Sequence, residues 1–305
     1  MKKTIIYILA LCAVFSALMC GCLAEEKADA DTVITINGEN VSKTEYLIYL
    51  RETAQNFELI GGEDIWDTDF DGKDAWEVAK ESAFNSVVAV KLAAARASDY
   101  SVKFNENDEI RAEMEALKMA ESMGEEKDSP YYECALRVVK DKNTYTLVKE
   151  NVVKDIKISD AQINAYCEEN RQLYRENLKN TECDIFYFDE YDDAKAFMAE
   201  GGSENEYKEE YSGEAGELKE RFGIEKAIAE NAVLGPFETE DGYAVVKIKK
   251  CTAAEEDFVE ESMINDYESS VKSEFFAKEA DKWLQAANIE INDELWQSIE
   301  FEDVR

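Results

Sequence analysis

Residues that break helices are scarce in this chain: two prolines and thirteen glycines in 305 positions. Between them run long stretches rich in Ala, Glu, Lys and Leu, with apolar residues three and four apart, the spacing of amphipathic helices. The spacing predicts a mostly helical protein. With 45% hydrophobic residues, the chain has apolar surface for about two cores at roughly 150 residues per domain. From Thr181 the period changes. "TECDIFYFD" sets Cys183, Ile185 and Tyr187 against Asp184, Phe186 and Phe188, which predicts a strand with both faces partly buried.

Charge removes whole classes of function. Asp and Glu number 69 against 34 Lys and Arg, a formal net charge of −35. Binding to a nucleic-acid backbone depends on cations that neutralise phosphates, so nucleic acid is excluded as a partner. The chain has no histidine. A His general base, a Ser-His-Asp triad and a His-ligated metal are therefore all absent. There is no Gly-x-Ser-x-Gly elbow and no phosphate loop, and no cofactor is implied. With acidic residues this abundant, no single carboxylate pair is diagnostic.

The N-terminus indicates where the chain works. "MKK" precedes the apolar run "TIIYILALCAVFSALMCGC", and acidic residues follow directly, as in an export signal. An uncleaved membrane helix is the competing reading, weakened by the lack of basic residues after the run. Cys20-Gly21-Cys22 is too closely spaced for the usual zinc clip. Four further cysteines, Cys134, Cys167, Cys183 and Cys251, allow three pairings, and the sequence selects none.

Element signals follow in order. "TVITINGENVSKTEYLIYL" reads as a strand (Val33, Ile34, Ile36), an Asn37-Gly38 turn and a helix opened by a Ser42/Glu45 capping box. Tyr46, Tyr49, Leu50 and Phe57 form the buried stripe of that helix. Further helices are expected over 75–97, placing Trp76, Phe84, Val87, Val88 and Leu92 inward, then from near Asn105, and after Ser159 with Gln162 three residues on. "EYDDAKAFMAEG" reads as a short helix and "EYKEEYSGEAGELKERFG" as a polar connector. A hairpin turning at Asp241-Gly242 follows, then a helix from Glu255 with Phe275, Phe276 and Trp283 on one face. A β-like piece and a last helix close the chain in "NIEINDELWQSI". In "DTDFDGKDAWEV", Asp67, Asp69 and Asp71 imitate the start of a calcium loop. Its twelfth position is Val78 where a bidentate Glu is needed, so a capped acidic turn is the preferred reading and no metal is assigned.

Three stretches together carry a resemblance: "INGENVSKTEYLIYL", "ISDAQINAYCEENRQLYRENLKNTECDIFYF" and "VLGPFETEDGYAVVKIKK". In content and order the chain resembles extracytoplasmic foldases of the PrsA and SurA type, which carry a parvulin-like prolyl isomerase module between two halves of a helical chaperone domain. Gly21 before Cys22 resembles the lipobox of bacterial lipoproteins, which implies cleavage before Cys22 and acylation of its thiol.

The resemblance implies an α+β fold in which a mostly helical chaperone domain is built from the N- and C-terminal segments. It also implies a division into a signal at 1–21, a tether at 22–31, a helical segment at 32–179, the module at 180–251 and a completing helical segment at 252–305. Competent parvulins have histidines that align here with Asp184 and Ala244, and their glycine-rich segment is thinned in "YSGEAGELKERFG". The implied function is a lipid-anchored chaperone on the outer side of the bacterial cell membrane, binding unfolded secreted polypeptides, with Phe186, Phe188, Phe237 and Tyr243 as client contacts. Two alternatives stand beside it: a working prolyl isomerase using Asp184, Cys183 or tyrosines, and a surface lipoprotein that binds one folded partner.

Overall fold

The computed structural model describes residues 31–200, 208–239 and 241–304. Cys22 and the export signal lie outside the described residues. The fold is α+β and mostly helical. The described chain divides into two units: residues up to Ile156 together with those from Glu274, and Lys157–Ser273.

The first unit opens with β1 (Thr32–Ile36), a turn with positive φ at Asn37 and Gly38, and β2 (Glu39–Ser42), a short strand the sequence reading passed over. Helix α1 (Lys43–Gly61) starts at Ser42, whose Oγ accepts from the Glu45 amide at 3.2 Å. The expected capping box is only half built. The Glu45 carboxylate turns into the interior and meets Lys91 at 2.8 Å. Tyr46, Tyr49, Leu50 and Phe57 are buried as expected.

After a two-residue hairpin, β3 (Asp69–Phe70) and β4 (Lys73–Asp74), comes α2 (Ala75–Ala94), capped by Asp74. Val87, Val88 and Leu92 are in the core, with Trp76 and Phe84 packed at its margin. Helix α3 (Glu106–Ser122) carries a full capping box of Asn105 and Asp108. The sequence reading missed α4 (Pro130–Val153), although Ser129 caps it and Pro130 occupies its first turn, a start signal in its own right.

The second unit comprises α5 (Asp160–Asn177), β5 (Asn180–Phe188), α6 (Tyr191–Ala199), β6 (Lys208–Glu214), α7 (Ala215–Phe222), β7 (Val233–Thr239), β8 (Gly242–Thr252) and the first part of α8 (Glu256–Gln285). Its sheet is antiparallel in the order β6-β5-β8-β7. The stretch read as a polar connector is in fact β6 and α7. Its charges hid the strand, because they pair with neighbouring strands: Lys208 lies 3.3 Å from Asp184. The unit is wider than 180–251 because α5 and α8 pack together through Cys167, Val259 and Met263, and Arg175 binds Glu256 with two hydrogen bonds of 2.7 and 2.8 Å.

Past Ser273 the chain belongs to the first unit again. Phe276 and Trp283 are buried, but Phe275 is 41% exposed, because consecutive helical residues point about 100° apart. Strand β9 (Ile289–Ile291) pairs antiparallel with β1, Ile34 opposite Ile291, giving the order β2-β1-β9. Helix α9 (Asp293–Gln297) sets Trp296 5.2 Å from Tyr46, and Phe301 beyond it lies 4.8 Å from Trp66. No helix among the described residues is long and apolar enough to cross a membrane.

Candidate functional site

The four-stranded sheet presents two faces, and strand alternation assigns each side chain to one of them. Cys183, Ile185 and Tyr187 of β5 lie with Ala244, Val246 and Ile248 of β8 on the first face, under Ala215 and Leu218 of α7 and Ile228. Phe186 and Phe188 lie with Val245 and Tyr243 on the second, under Ala194 and Phe197 of α6.

The two positions aligned with parvulin histidines are not brought together. Ala244 sits opposite Tyr187 and is fully enclosed in the first face. Asp184 is in register with Lys247 and belongs to the second face, only 7% exposed. Its Oδ1 lies 2.6 Å from Lys249 Nζ and its Oδ2 3.3 Å from Lys208 Nζ. Glu210, 3.2 Å away, and Asp184 hold Lys208 above the ordinary lysine value. Asp184 is thus a fixed anion between two lysines, on the opposite side of the sheet from Ala244.

The polar groups of the first face form a closed set that the sequence reading missed. Arg221, on α7, binds Glu209 of β6 through two hydrogen bonds of 2.7 and 2.8 Å and also donates to Tyr187 Oη at 2.7 Å. Tyr187 donates to Glu209 at 2.6 Å. Tyr211 donates to Glu217 at 3.0 Å. The hydrogen bond from Arg221 is the main reason the Glu209 carboxyl is held below its usual range. Burial, assisted by Asp184 and Glu209, pushes the Cys183 thiol up to about 12. Burial and the bonds to Glu209 and Glu217 likewise push Tyr187 and Tyr211 up to about 12. At neutral pH the thiol and both phenols keep their protons, and Glu209 stays charged. None of these four groups is poised to exchange a proton near pH 7. The one local signal for this set was Gly223 after "ELKERF", a left-handed C-cap that marks the end of α7.

The four aromatic residues expected to contact clients separate as well. Phe186 is core, its ring 4.6 Å from Phe197, and offers no free surface. Phe188 and Tyr243 are partly exposed on the second face, and Tyr243 stands edge-on to the exposed Tyr191 at 5.4 Å. Phe237 lies on the first face, 5.4 Å from Phe222. In the acidic turn of the first unit, Asp69 Oδ1 accepts from the Gly72 amide at 2.8 Å, and among the described residues no three acidic or thiol side chains gather as metal ligands. Cys134, Cys167, Cys183 and Cys251 are all free thiols.

No protein-family profile matches the chain. Among curated proteins it is similar to foldase protein PrsA of Caldanaerobacter subterraneus, 24% identical over 180 residues, which span 57% of this chain and 54% of that protein. That match therefore takes in about half the length of the relative. Foldase protein PrsA of Clostridium perfringens is 22% identical, with 97% of each chain covered. Among solved structures, similarity is found to a SurA-like chaperone of Campylobacter jejuni (13% identity, 85% of this chain and 98% of that chain, TM-score 0.39). A further one is the peptidylprolyl isomerase PrsA of Bacillus cereus (13%, 91% and 96%, TM-score 0.34). Along nearly its whole length the sequence of the chain is similar to that of a PrsA foldase.

Proposed function

We propose that this protein is an extracytoplasmic, lipid-anchored chaperone that holds unfolded secreted polypeptides, and that its sheet-bearing unit serves as a contact surface without isomerase activity. The observation that carries the reading is the closure of the first sheet face around Ala244. Rotation about a prolyl amide must cross a barrier of about 18–20 kcal/mol, which an enzyme lowers by placing polar groups against the twisted amide. Here a methyl group occupies the position aligned with one family histidine. The nearby polar groups are committed to one another, and Asp184 is on the other face. Apolar contacts that bind planar and twisted amides equally give affinity without rate.

Clients are held through the exposed Tyr191 and the partly exposed Phe188 and Tyr243 beside it on one face, with the half-buried Phe237 on the other, while the acidic exterior keeps the complexes soluble. Holding needs no ATP. The decisive experiment pairs two assays on the unaltered protein. It should suppress aggregation of an unfolded client in proportion to its concentration, yet leave the rate of cis-to-trans conversion of a Xaa-Pro peptide at background. Acceleration proportional to protein concentration would make it an isomerase instead. Suppression of a basic client should weaken as salt rises, because screening sets in within about 10 Å at 0.1 M. The anchor is tested separately: Cys22→Ser should move the protein from the membrane fraction to the medium, and unchanged retention rejects the lipid.

A further inference from the structure

Past β9 the first unit is held together by a different kind of contact. The Asn292 amide still donates to the Val33 carbonyl of β1 at 2.9 Å, but the main-chain bonds donated by Trp296, Ser298, Ile299 and Asp303 stay within 292–304. This stretch is α9 and a 3-10 turn, Phe301–Val304, and side chains attach it to the rest of the unit. Lys80 of α2 donates to the carbonyls of Trp296 at 2.7 Å and Ile299 at 3.5 Å. Arg51 of α1 donates to those of Val304 at 3.1 Å and Asp303 at 3.3 Å, and Lys43 lies 3.1 Å from the Asp303 carboxylate. Two rings five positions apart complete the attachment: Trp296 rests against Tyr46 and Phe84, and Phe301 against Trp66 and Trp76.

We propose that residues 293–304 are an exchangeable strap over a peptide-binding groove of the first unit, and that the groove takes in their place an acidic polypeptide segment with two aromatic residues five positions apart. The strap itself shows what fits: "DELWQSIEFEDV" has five acidic residues and no basic one, and Lys43, Arg51 and Lys80 meet it. Every polypeptide offers main-chain carbonyls, so Lys80 and Arg51 recognise a chain without reading its sequence. The ring pockets and Lys43 supply the selection. Lys80 also argues for exchange. Its side chain is buried, its ammonium rests on carbonyls, and no carboxylate is within ion-pair distance of it among the described residues. An ammonium buried without a counter-ion costs free energy, and opening of the strap returns it to water. A tethered strap competes at an effective concentration of the order of millimolar, so the open groove is a minor state and the apparent affinity for a second segment is reduced accordingly. The groove gives the holding chaperone proposed above a further client site, on the first unit. Because the probe below is a peptide of the chain's own sequence, its outcome is independent of that reading.

Fluorescence anisotropy with a labelled peptide of residues 293–304 tests this on two full chains, the unaltered protein and Asp303→Lys. The substitution sets a cation against Lys43 and Arg51, and leaves the groove and both ring contacts in place. The peptide should bind the variant at least about tenfold more tightly than the unaltered chain, because the loosened strap competes less. Only the hold of the strap differs between the two chains, so that gain locates the peptide in the groove. The same peptide with alanine at both ring positions should not bind. Equal affinity for the two chains, no binding to the variant, or binding of the ring-free peptide overturns the proposal. Hydrogen exchange of the unaltered chain gives a second reading that does not depend on the folding of any variant. The amides of 293–304 should exchange ahead of those of β1 and α1, through local opening. Exchange of all three as one cooperative unit makes the segment a permanent part of the core, and also overturns it.

Discussion

Lys91 Nζ lies 2.8 Å from Glu45 Oε1, and the two side chains are 2% and 0% exposed. Asp141 and Glu39 approach the same ammonium at 2.7 and 2.8 Å, and Arg137 approaches the other Glu45 oxygen at 3.3 Å. Burial alone would lower the Lys91 pKa, but the three carboxylates outweigh it and hold it above the ordinary lysine value. This one cation joins β2, α1, α2 and α4. Lys91→Met should leave Glu45 as a buried, weakly compensated anion and cost about 3–5 kcal/mol. The check is the urea midpoint of the variant against the unaltered chain.

Cys183 gives the second sheet-bearing unit a pH dependence whose sign is fixed by burial. The folded value near 12 exceeds the unfolded thiol's value of about 8.5, so between them the folded state binds more protons. Its contribution to stability is complete below about pH 8.5 and is lost as pH climbs toward 12, at a slope approaching about 1.4 kcal/mol per unit. Cys183→Ala should flatten that part of the melting profile. In pulse alkylation at pH 8 followed by peptide mapping, half-buried Cys251 should be modified well before Cys183.

Ending the chain after Gln285 removes β9, Trp296 and Phe301. Tyr46 and Phe84 then lose Trp296, and Trp66 and Trp76 lose Phe301. Trp296 and Phe301 are half-buried against the core, so each contributes less than the about 3–5 kcal/mol of a fully buried aromatic, yet losing the two together with β9 removes much of the stability of a typical domain. The truncated chain should bind a hydrophobic dye strongly and lose the cooperative transition of its first unit, both readable in one thermal melt.

Tyr191 and Tyr243 form an edge-on pair that is partly open to solvent. Tyr191→Ser with Tyr243→Ser should reduce suppression of client aggregation several-fold while shifting the melting temperature only a few degrees. Light scattering of an unfolded client in the presence of each protein is the readout. Unaltered suppression would remove this face from the contact surface.

Periodicity made the larger elements legible, and Tyr46, Tyr49, Leu50 and Phe57 are buried where the helical stripe places them. Three kinds of information were not local. Strand β6 reads "KEEYSGE", and its charges look like a solvated linker until Asp184 and Arg221 are beside them. Glu45 fits a capping box by spacing alone, but Lys91, forty-six positions away, draws it inward. Asp184 and Ala244 align with a known pattern, yet which face each takes depends on the pairing of β5 with β8 and on the bulge at Glu182 and Cys183. Alternation within β5 was evident in the sequence. The phase of β8 against it was not.

The pairing of β1 with β9 bears on the order in which the chain is completed. Ile34 finds Ile291 only after the 256 intervening positions have been made and delivered. Residues 157–273 are continuous, so the second unit is whole as soon as that stretch has emerged. The first unit must wait with β1 open along one edge, closing a far longer loop when the last residues arrive. During synthesis the chain therefore passes through an unfinished state of its own, with the edge of β1 unpaired until β9 arrives.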